Sequence, residues 1–318
     1  FGYVKTLHGF RIFTSWFDEY PGELFWLFYQ RGYSMEIVMK HIKYIFIISV
    51  ILLSSCIGDT DLTGFIRSTE RIEDRFKASM DWNASNPFKT ITVASETYNL
   101  LVTADVHVGE TKNYQNFLQR GIQHDIEAMV FVGDFVTGKE KDYETFHSLL
   151  PDYKSKPTFL LTGNHELYFD GWKHFRRLYG TSIYYFTIQT PSVKDIYISL
   201  DSGSGTLGKS QLVWLKELLE KDRNSYNQCV IFTHVNFFRD RHTLSTNPLV
   251  NELLVLLDLF EKHKVNMVIM GHDHIRALNQ MGNTTYLTLD GLEDGIPNAS
   301  YLLLKKENNR MNYDFIPL

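Results

Sequence analysis

Five apolar runs, at residues 100–104, 128–132, 158–162, 229–233 and 267–270, each stop directly at short polar residues. The polar blocks are Asp105-Val106-His107, Gly133-Asp134, Gly163-Asn164-His165-Glu166, His234 and Gly271-His272-Asp273-His274. Apolar runs of this length read as strands buried on both faces, the situation of a sheet covered by helices. Ligand-type residues at several strand ends predict one shared site at the strand tips.

The residue types narrow the chemistry of that site. Asp105, Asp134 and Asn164 offer oxygens, and His107, His234, His272 and His274 offer nitrogens, with no Cys among them. That is the donor set of hard or borderline divalent metals. It is more than one ion needs, and two ions sharing a carboxylate would use it all. Two-metal sites belong mainly to phosphoryl-transfer hydrolysis.

The order Asp-x-His, Gly-Asp, Gly-Asn-His-Glu, His, Gly-His-x-His resembles the whole signature of the calcineurin-like metallophosphoesterases, from about Tyr98 onward. The resemblance implies Asp105, His107 and His274 on one metal, Asn164, His234 and His272 on the other, and Asp134 bridging them. It places His165 off the metals, facing the leaving group of the substrate. The implied cofactor is a pair of divalent ions, with Mn, Fe and Zn all compatible with such ligands. Two dications against Asp105, Asp134 and a bridging hydroxide leave one net positive charge to attract a phosphate. A water between two ions ionises near neutrality, so no Ser or Cys nucleophile is required. An imidazole such as His165 would then protonate the leaving alkoxide.

Singly, each block has an ordinary reading. Short polar residues after a strand commonly make turns or helix caps. The remaining histidines, His8, His41, His124, His147, His174 and His263, read as solvated or satisfied core positions. His242 stands apart. With Arg239 and Arg241 it follows Phe237-Phe238 just after His234, and this stretch reads either as a substrate-recognition loop or as plain surface.

The first part of the chain differs from the rest. Residues 1–34 are about a third aromatic and lack a periodic pattern, and Met35 reads as the better start. Lys40 and Lys43 precede the apolar residues 45–53 and then Ser54-Ser55-Cys56, the order of a secretory signal over residues 35–55. The apolar run is about half of the roughly 20 residues that span a bilayer. Leu53-Ser54-Ser55-Cys56 further resembles a bacterial lipobox, which implies a chain lipidated on Cys56 and anchored outside the cytoplasm. The alternative is a leftover thiol at the end of an apolar helix. A disulfide between Cys56 and Cys229, the two cysteines present, is not expected, because Cys229 opens a buried strand.

Past the leader, residues 56–97 read as a lead-in and 98–318 as one catalytic domain. Ile72, Phe76 and Met80 at i+4 spacing predict a short amphipathic helix that docks by its apolar face. Helical stretches are predicted at residues 114–122, 143–150, 171–179, 210–223 and 249–263, and further strands at 182–188, 195–200, 284–289, 299–304 and 311–316. The mixture suggests two packed sheets flanked by helices, and the resemblance implies the same α/β architecture, a four-layer α/β/β/α sandwich. A net charge of −5 excludes the basic footprint of long nucleic-acid binding. The leading reading is therefore metal-dependent hydrolysis of a small phosphomonoester or phosphodiester, with no protein partner implied. A rival is a non-catalytic protein that holds a phosphorylated ligand on the same fold and metals. Purple acid phosphatases resemble this family but carry Gly where His107 stands and Tyr where Thr137 stands, and both positions disagree.

Overall fold

A computed structural model describes Gly64 and residues 69–318 apart from 124, 153, 240–245 and 308. The signal segment and Cys56 lie outside the described residues, as do Arg241 and His242. The chain runs through α1 (Ile72–Ser85), β1 (Thr90–Thr92), β2 (Tyr98–Thr103), α2 (Lys112–Gln123), β3 (Ala128–Val132), α3 (Glu140–Leu149) and β4 (Thr158–Leu161). A 3-10 turn (His165–Asp170), α4 (Trp172–Tyr179), β5 (Tyr184–Gln189), β6 (Lys194–Leu200), α5 (Gly208–Asp222) and β7 (Cys229–Thr233) follow. The last elements are α6 (Val250–Lys262), β8 (Met267–Met270), β9 (Ala277–Met281), β10 (Thr284–Thr288), β11 (Ser300–Glu307) and β12 (Arg310–Pro317).

Two sheets result, in the orders β12-β11-β2-β3-β4 and β1-β5-β6-β7-β8-β10-β9. Within them, β2-β3-β4 and β6-β7-β8-β10 run parallel. Parallel strands need covering on both faces, and the alternation within each strand serves both. In β3, Ala128, Val130 and Val132 enter the core between the sheets. Met129 and Phe131 point the other way, onto Phe117 of α2 and Phe146 of α3. Across the second sheet, Ile198 and Ile231 meet Leu215 of α5 and Phe260 of α6. The layers are therefore α/β/β/α.

A polar latch sits within the inter-sheet core. Tyr98 donates to Asp195 Oδ2 at 2.6 Å, and Lys306 Nζ lies 3.4 Å from the same oxygen. Lys306 and Asp195 are fully buried, so each charge depends on the other.

The lead-in helix forms but docks by a different stripe from the one its apolar spacing predicts. Ile72, Phe76 and Met80 are half-buried, whereas Arg75, Ala78 and Ser79 are buried. The reason is an ion pair: the Arg75 guanidinium reaches Asp201 at the end of β6. Two strands were not predicted. β1 is three residues long, and β9 is exposed on both faces, so neither carries an alternating apolar pattern.

Candidate metal centre

The strand ends meet where β2, β3 and β4 of one sheet face β7 and β8 of the other. Five of the seven candidate ligands have left-handed backbone: Asp105 (φ 52°), His107 (43°), Asp134 (51°), His272 (78°) and His274 (57°). Asp, Asn and His tolerate that region best, but each such residue still costs free energy that surrounding structure must hold. Residues 105–107 and 272–274 thereby turn sharply off their strands.

Six of the seven ligand candidates, all but Asn164, fall into compact clusters linked through Asp134 and His107. In the first, His274 Nε2 lies 3.4 Å from Asp105 Oδ1 and 3.3 Å from His107 Nε2. In the second, His234 Nε2 lies 3.0 Å from Asp134 Oδ2 and 3.2 Å from His272 Nδ1. Asp134 joins them, since its Oδ2 is also 4.0 Å from His107 Nε2. Asp105–His107–His274 and Asp134–His234–His272 are each compact enough to hold one ion, and so is His107–Asp134–His165.

The hydrogen bonds around the cluster leave lone pairs facing inward. His234 Nδ1–H donates to the Val132 carbonyl at 2.8 Å, which leaves Nε2 bare toward Asp134. His272 Nε2–H donates to Thr246 O at 2.8 Å and turns Nδ1 inward. Asp105 Oδ2 accepts from the His272 amide at 2.8 Å, while its Oδ1 accepts no hydrogen bond among the described residues and faces His274 Nε2 at 3.4 Å. Asn164 Nδ2 donates to the Tyr168 hydroxyl at 3.2 Å, and its Oδ1 is likewise unpartnered and buried. Each buried acceptor left bare costs about 1–3 kcal/mol, which bound cations would recover. The donor set therefore fits a pair of divalent ions.

Protons take up part of that role in the metal-free protein. Burial pushes the His234 imidazolium down, but Asp134 and Asp105 outweigh it and hold the group at about 10. Burial likewise opposes His274, and Asp105 raises it to about 9. His107 goes the other way, to about 3, through burial and the neighbouring His165. Burial and His234 take His272 down to about 4. At pH 7 His234 and His274 thus carry protons that metals must displace. We expect metal uptake at pH 7 to release about two protons from His234 and His274, and up to one more from a water that ionises between the ions, with apparent affinity rising as pH climbs from 7 toward 9. Calorimetric titrations in buffers of different ionisation enthalpy measure the release, and a value near zero would contradict the pairing.

His165 lies at the edge of the centre. Its amide donates to Asp134 Oδ1 at 2.8 Å, its ring meets that of His107 edge-on at 4.4 Å, and its buried Nδ1 has no partner. Burial, more than any neighbouring charge, lowers its pKa. His107, His165 and His274 open onto a cavity of about 410 Å³ that Glu110, Thr137 and Lys139 also line. Arg239 is not among its lining residues. It binds Asp273 at 2.9 Å and sits at the Nε2 edge of His272, so it props the Gly-His-x-His turn.

Several supporting residues escaped the sequence reading. Glu166 accepts from the amides of Asp134 (2.7 Å), Gly163 (2.6 Å) and Val136 (3.1 Å), clamping two ligand loops together. Its place inside the Gly-Asn-His-Glu block was the available signal. Ser202 Oγ accepts from the amides of His234 and Val235. The amides of Leu292 and Glu293 both donate to the Asp105 carbonyl at 3.0 Å. No local pattern marks Ser202 or the 292–293 amides.

Residues 98–276, more than half of the chain, match the calcineurin-like phosphoesterase family. The chain belongs to that family. As a calcineurin-like phosphoesterase it is a metal-dependent phosphoester hydrolase, and its residue clusters fit a dinuclear divalent-metal centre. Solved structures share the fold at low identity. A dimetal phosphatase from Danio rerio is 14% identical with a TM-score of 0.55, covering 69% of this chain and 96% of that one. GAP50, described as the anchor in the inner membrane complex of Plasmodium, is 11% identical with a TM-score of 0.54, covering 70% and 84%. A purple acid phosphatase from yellow lupin is 12% identical with a TM-score of 0.54, covering 70% and 52%. A search of curated protein sequences gave no significant match.

Proposed function

We propose that this phosphoesterase hydrolyses a small phosphomonoester or phosphodiester outside the cytoplasm, with the seven clustered side chains as metal ligands and His165 beside the leaving group. The observation that carries the assignment is the pair of compact clusters, Asp105–His107–His274 and Asp134–His234–His272, with Asp134 Oδ2 also 4.0 Å from His107 Nε2. Asp105, His107 and His274 would hold one ion, Asn164, His234 and His272 the other, and Asp134 both. When bound, the two ions supply Lewis-acid charge and an acidified water.

The protein's own residues perform the remaining work. The neutral Asn164 amide and the imidazoles preserve positive charge that a phosphate can meet. Asp134, tethered by the His165 amide, fixes the spacing of the two ligand sets. The His165 ring lines the cavity, so its cavity-facing edge could give a proton to a leaving-group oxygen, while its Nδ1 is buried and makes no hydrogen bond. A protein that only holds a phosphorylated ligand has no use for such a group, which favours hydrolysis over the binding alternative. The likeness to a Plasmodium anchor protein is a reminder that the fold alone does not decide between them.

The extracytoplasmic, lipid-anchored location rests on Lys40, Lys43, residues 45–53 and Leu53-Ser54-Ser55-Cys56. One test covers activity and a second covers location. Purified protein stripped of metal should lose hydrolysis of a panel of alkyl and aryl phosphate mono- and diesters, and regain it with Mn²⁺, Fe²⁺ or Zn²⁺. Metal-loaded protein that binds phosphate yet cleaves none of the panel would favour the binder. Mass spectrometry of membrane-fraction protein should find lipid on Cys56, and an unmodified Cys56 would sink the anchoring.

A further inference from the structure

The side chain of Arg75 is fully buried, yet it belongs to α1, which lies before the residues that match the family. Its fork makes four hydrogen bonds. Nε and Nη2 reach the two oxygens of Asp201 at 2.7 and 3.1 Å, Nη2 also reaches Ser204 Oγ at 3.0 Å, and Nη1 reaches the Glu70 carbonyl at 3.0 Å. Asp201 and Ser204 belong to the β6–α5 loop, residues 201–207, so one guanidinium holds both ends of its first turn. A buried charge pair of this kind is costly unless it is well hydrogen-bonded, and here all three nitrogens of the fork have a partner.

That loop lies under one half of the metal centre. Ser202 Oγ accepts the amides of His234 and Val235 at 3.0 and 2.9 Å, which sets the backbone of His234. Gly203 packs so tightly that a Cβ there would stand 2.4 Å from the Gly163 carbonyl oxygen, next to Asn164. The Gly205 carbonyl accepts from the Leu249 amide at 2.8 Å, and a Cβ on Gly205 would stand 2.3 Å from the Asn247 carbonyl oxygen. Residues 246–249 supply the Thr246 carbonyl that orients His272. The loop therefore backs Asn164, His234 and His272 together. Among the described residues no hydrogen bond runs from it to Asp105, His107 or His274, where the Leu292 and Glu293 amides provide the backing instead.

We infer that Arg75 is a positioning residue for the Asn164–His234–His272 half of the centre, which makes the lead-in helix part of the catalytic unit. This rests on the proposed division of ligands between two ions. Outer contacts that orient metal ligands are worth about 10- to 100-fold in metal affinity. Lys at this position keeps the charge but cannot bond both Asp201 oxygens and Ser204 at once.

The test uses the full chain and Co²⁺ uptake, followed by absorption and calorimetry. Wild type should bind two ions, with His272→Ala removing one step and His274→Ala the other. Arg75→Lys should weaken the step that His272→Ala removes by roughly 10- to 100-fold and leave the other in place. The pair Arg75→Met with Asp201→Asn, which leaves no lone buried charge, should do the same if Arg75→Lys folds poorly. Equal weakening of both steps, or two unchanged steps with a lowered melting temperature, would overturn the role of Arg75 alone. A wild type that binds a single ion would overturn the two-ion reading and the inference with it.

Discussion

Asp134→Asn should empty both halves of the metal centre and abolish hydrolysis while leaving the fold in place. Asp134 is the one carboxylate within reach of both clusters, 3.0 Å from His234 Nε2 and 4.0 Å from His107 Nε2. A unit charge pair at about 4 Å with an effective dielectric of about 20 is worth about 4 kcal/mol, so each dication loses at least that much. This corresponds to about a thousandfold in affinity per ion. The amide is isosteric, and Asn Oδ1 can still accept the His165 amide, so the loop geometry has no reason to collapse. The same substitution removes the main charge that raises the His234 pKa, so His234 in the metal-free variant should titrate well below its value of about 10. Metal analysis after dialysis, with the His234 resonance followed against pH, reads both effects. A variant that keeps two ions and full rate ends the shared-ligand assignment.

The legible part of this protein is the part built from contiguous residues. Each ligand follows its strand within a few positions, because a buried parallel strand must be apolar throughout and the first polar residue marks its end. The run at residues 128–132 and strand β3 coincide, as do those at 229–233 and 267–270 with β7 and β8. What was not legible joins residues distant in sequence. Arg75 and Asp201 are 126 positions apart, and nothing in the spacing of Ile72, Phe76 and Met80 warns that the buried stripe of α1 is centred on a charge. Apolar periodicity weighs side chains by hydrophobicity, whereas this face is chosen by an ion pair. The Leu292 and Glu293 amides act through backbone groups that every sequence possesses, and the Ser202 hydroxyl acts on amides 32 and 33 positions away. Glu166 lies between these extremes. It sits inside a visible block, yet its function is to accept three amides from two loops, which no single loop reveals. Arg239 is a further case, since the sequence left it between substrate recognition and plain surface and could not show its ion pair with Asp273.

His165→Ala should leave both ions bound and slow hydrolysis selectively according to the leaving group. The ring lies against His107 at 4.4 Å and lines the cavity, its Nδ1 makes no hydrogen bond, and the proposed ligand sets do not include it, so its loss should remove no ligand from either ion. If its task is to protonate the departing oxygen, alkyl esters should lose roughly 10²- to 10⁴-fold in turnover. Nitrophenyl esters, whose leaving group is stable as an anion, should lose far less. Burial already lowers the His165 pKa below the ordinary histidine value, which favours the neutral ring in the free protein. The acid form is then the scarce one, so wild-type kcat/KM for alkyl esters should fall as pH rises through that lowered pKa, and the variant should lack that limb. The ratio of the two losses, alkyl over nitrophenyl, is the decisive quantity. Equal losses on both substrates would reassign His165 to orienting phosphate through Asp134, and a missing ion would make it a ligand of the compact His107–Asp134–His165 cluster.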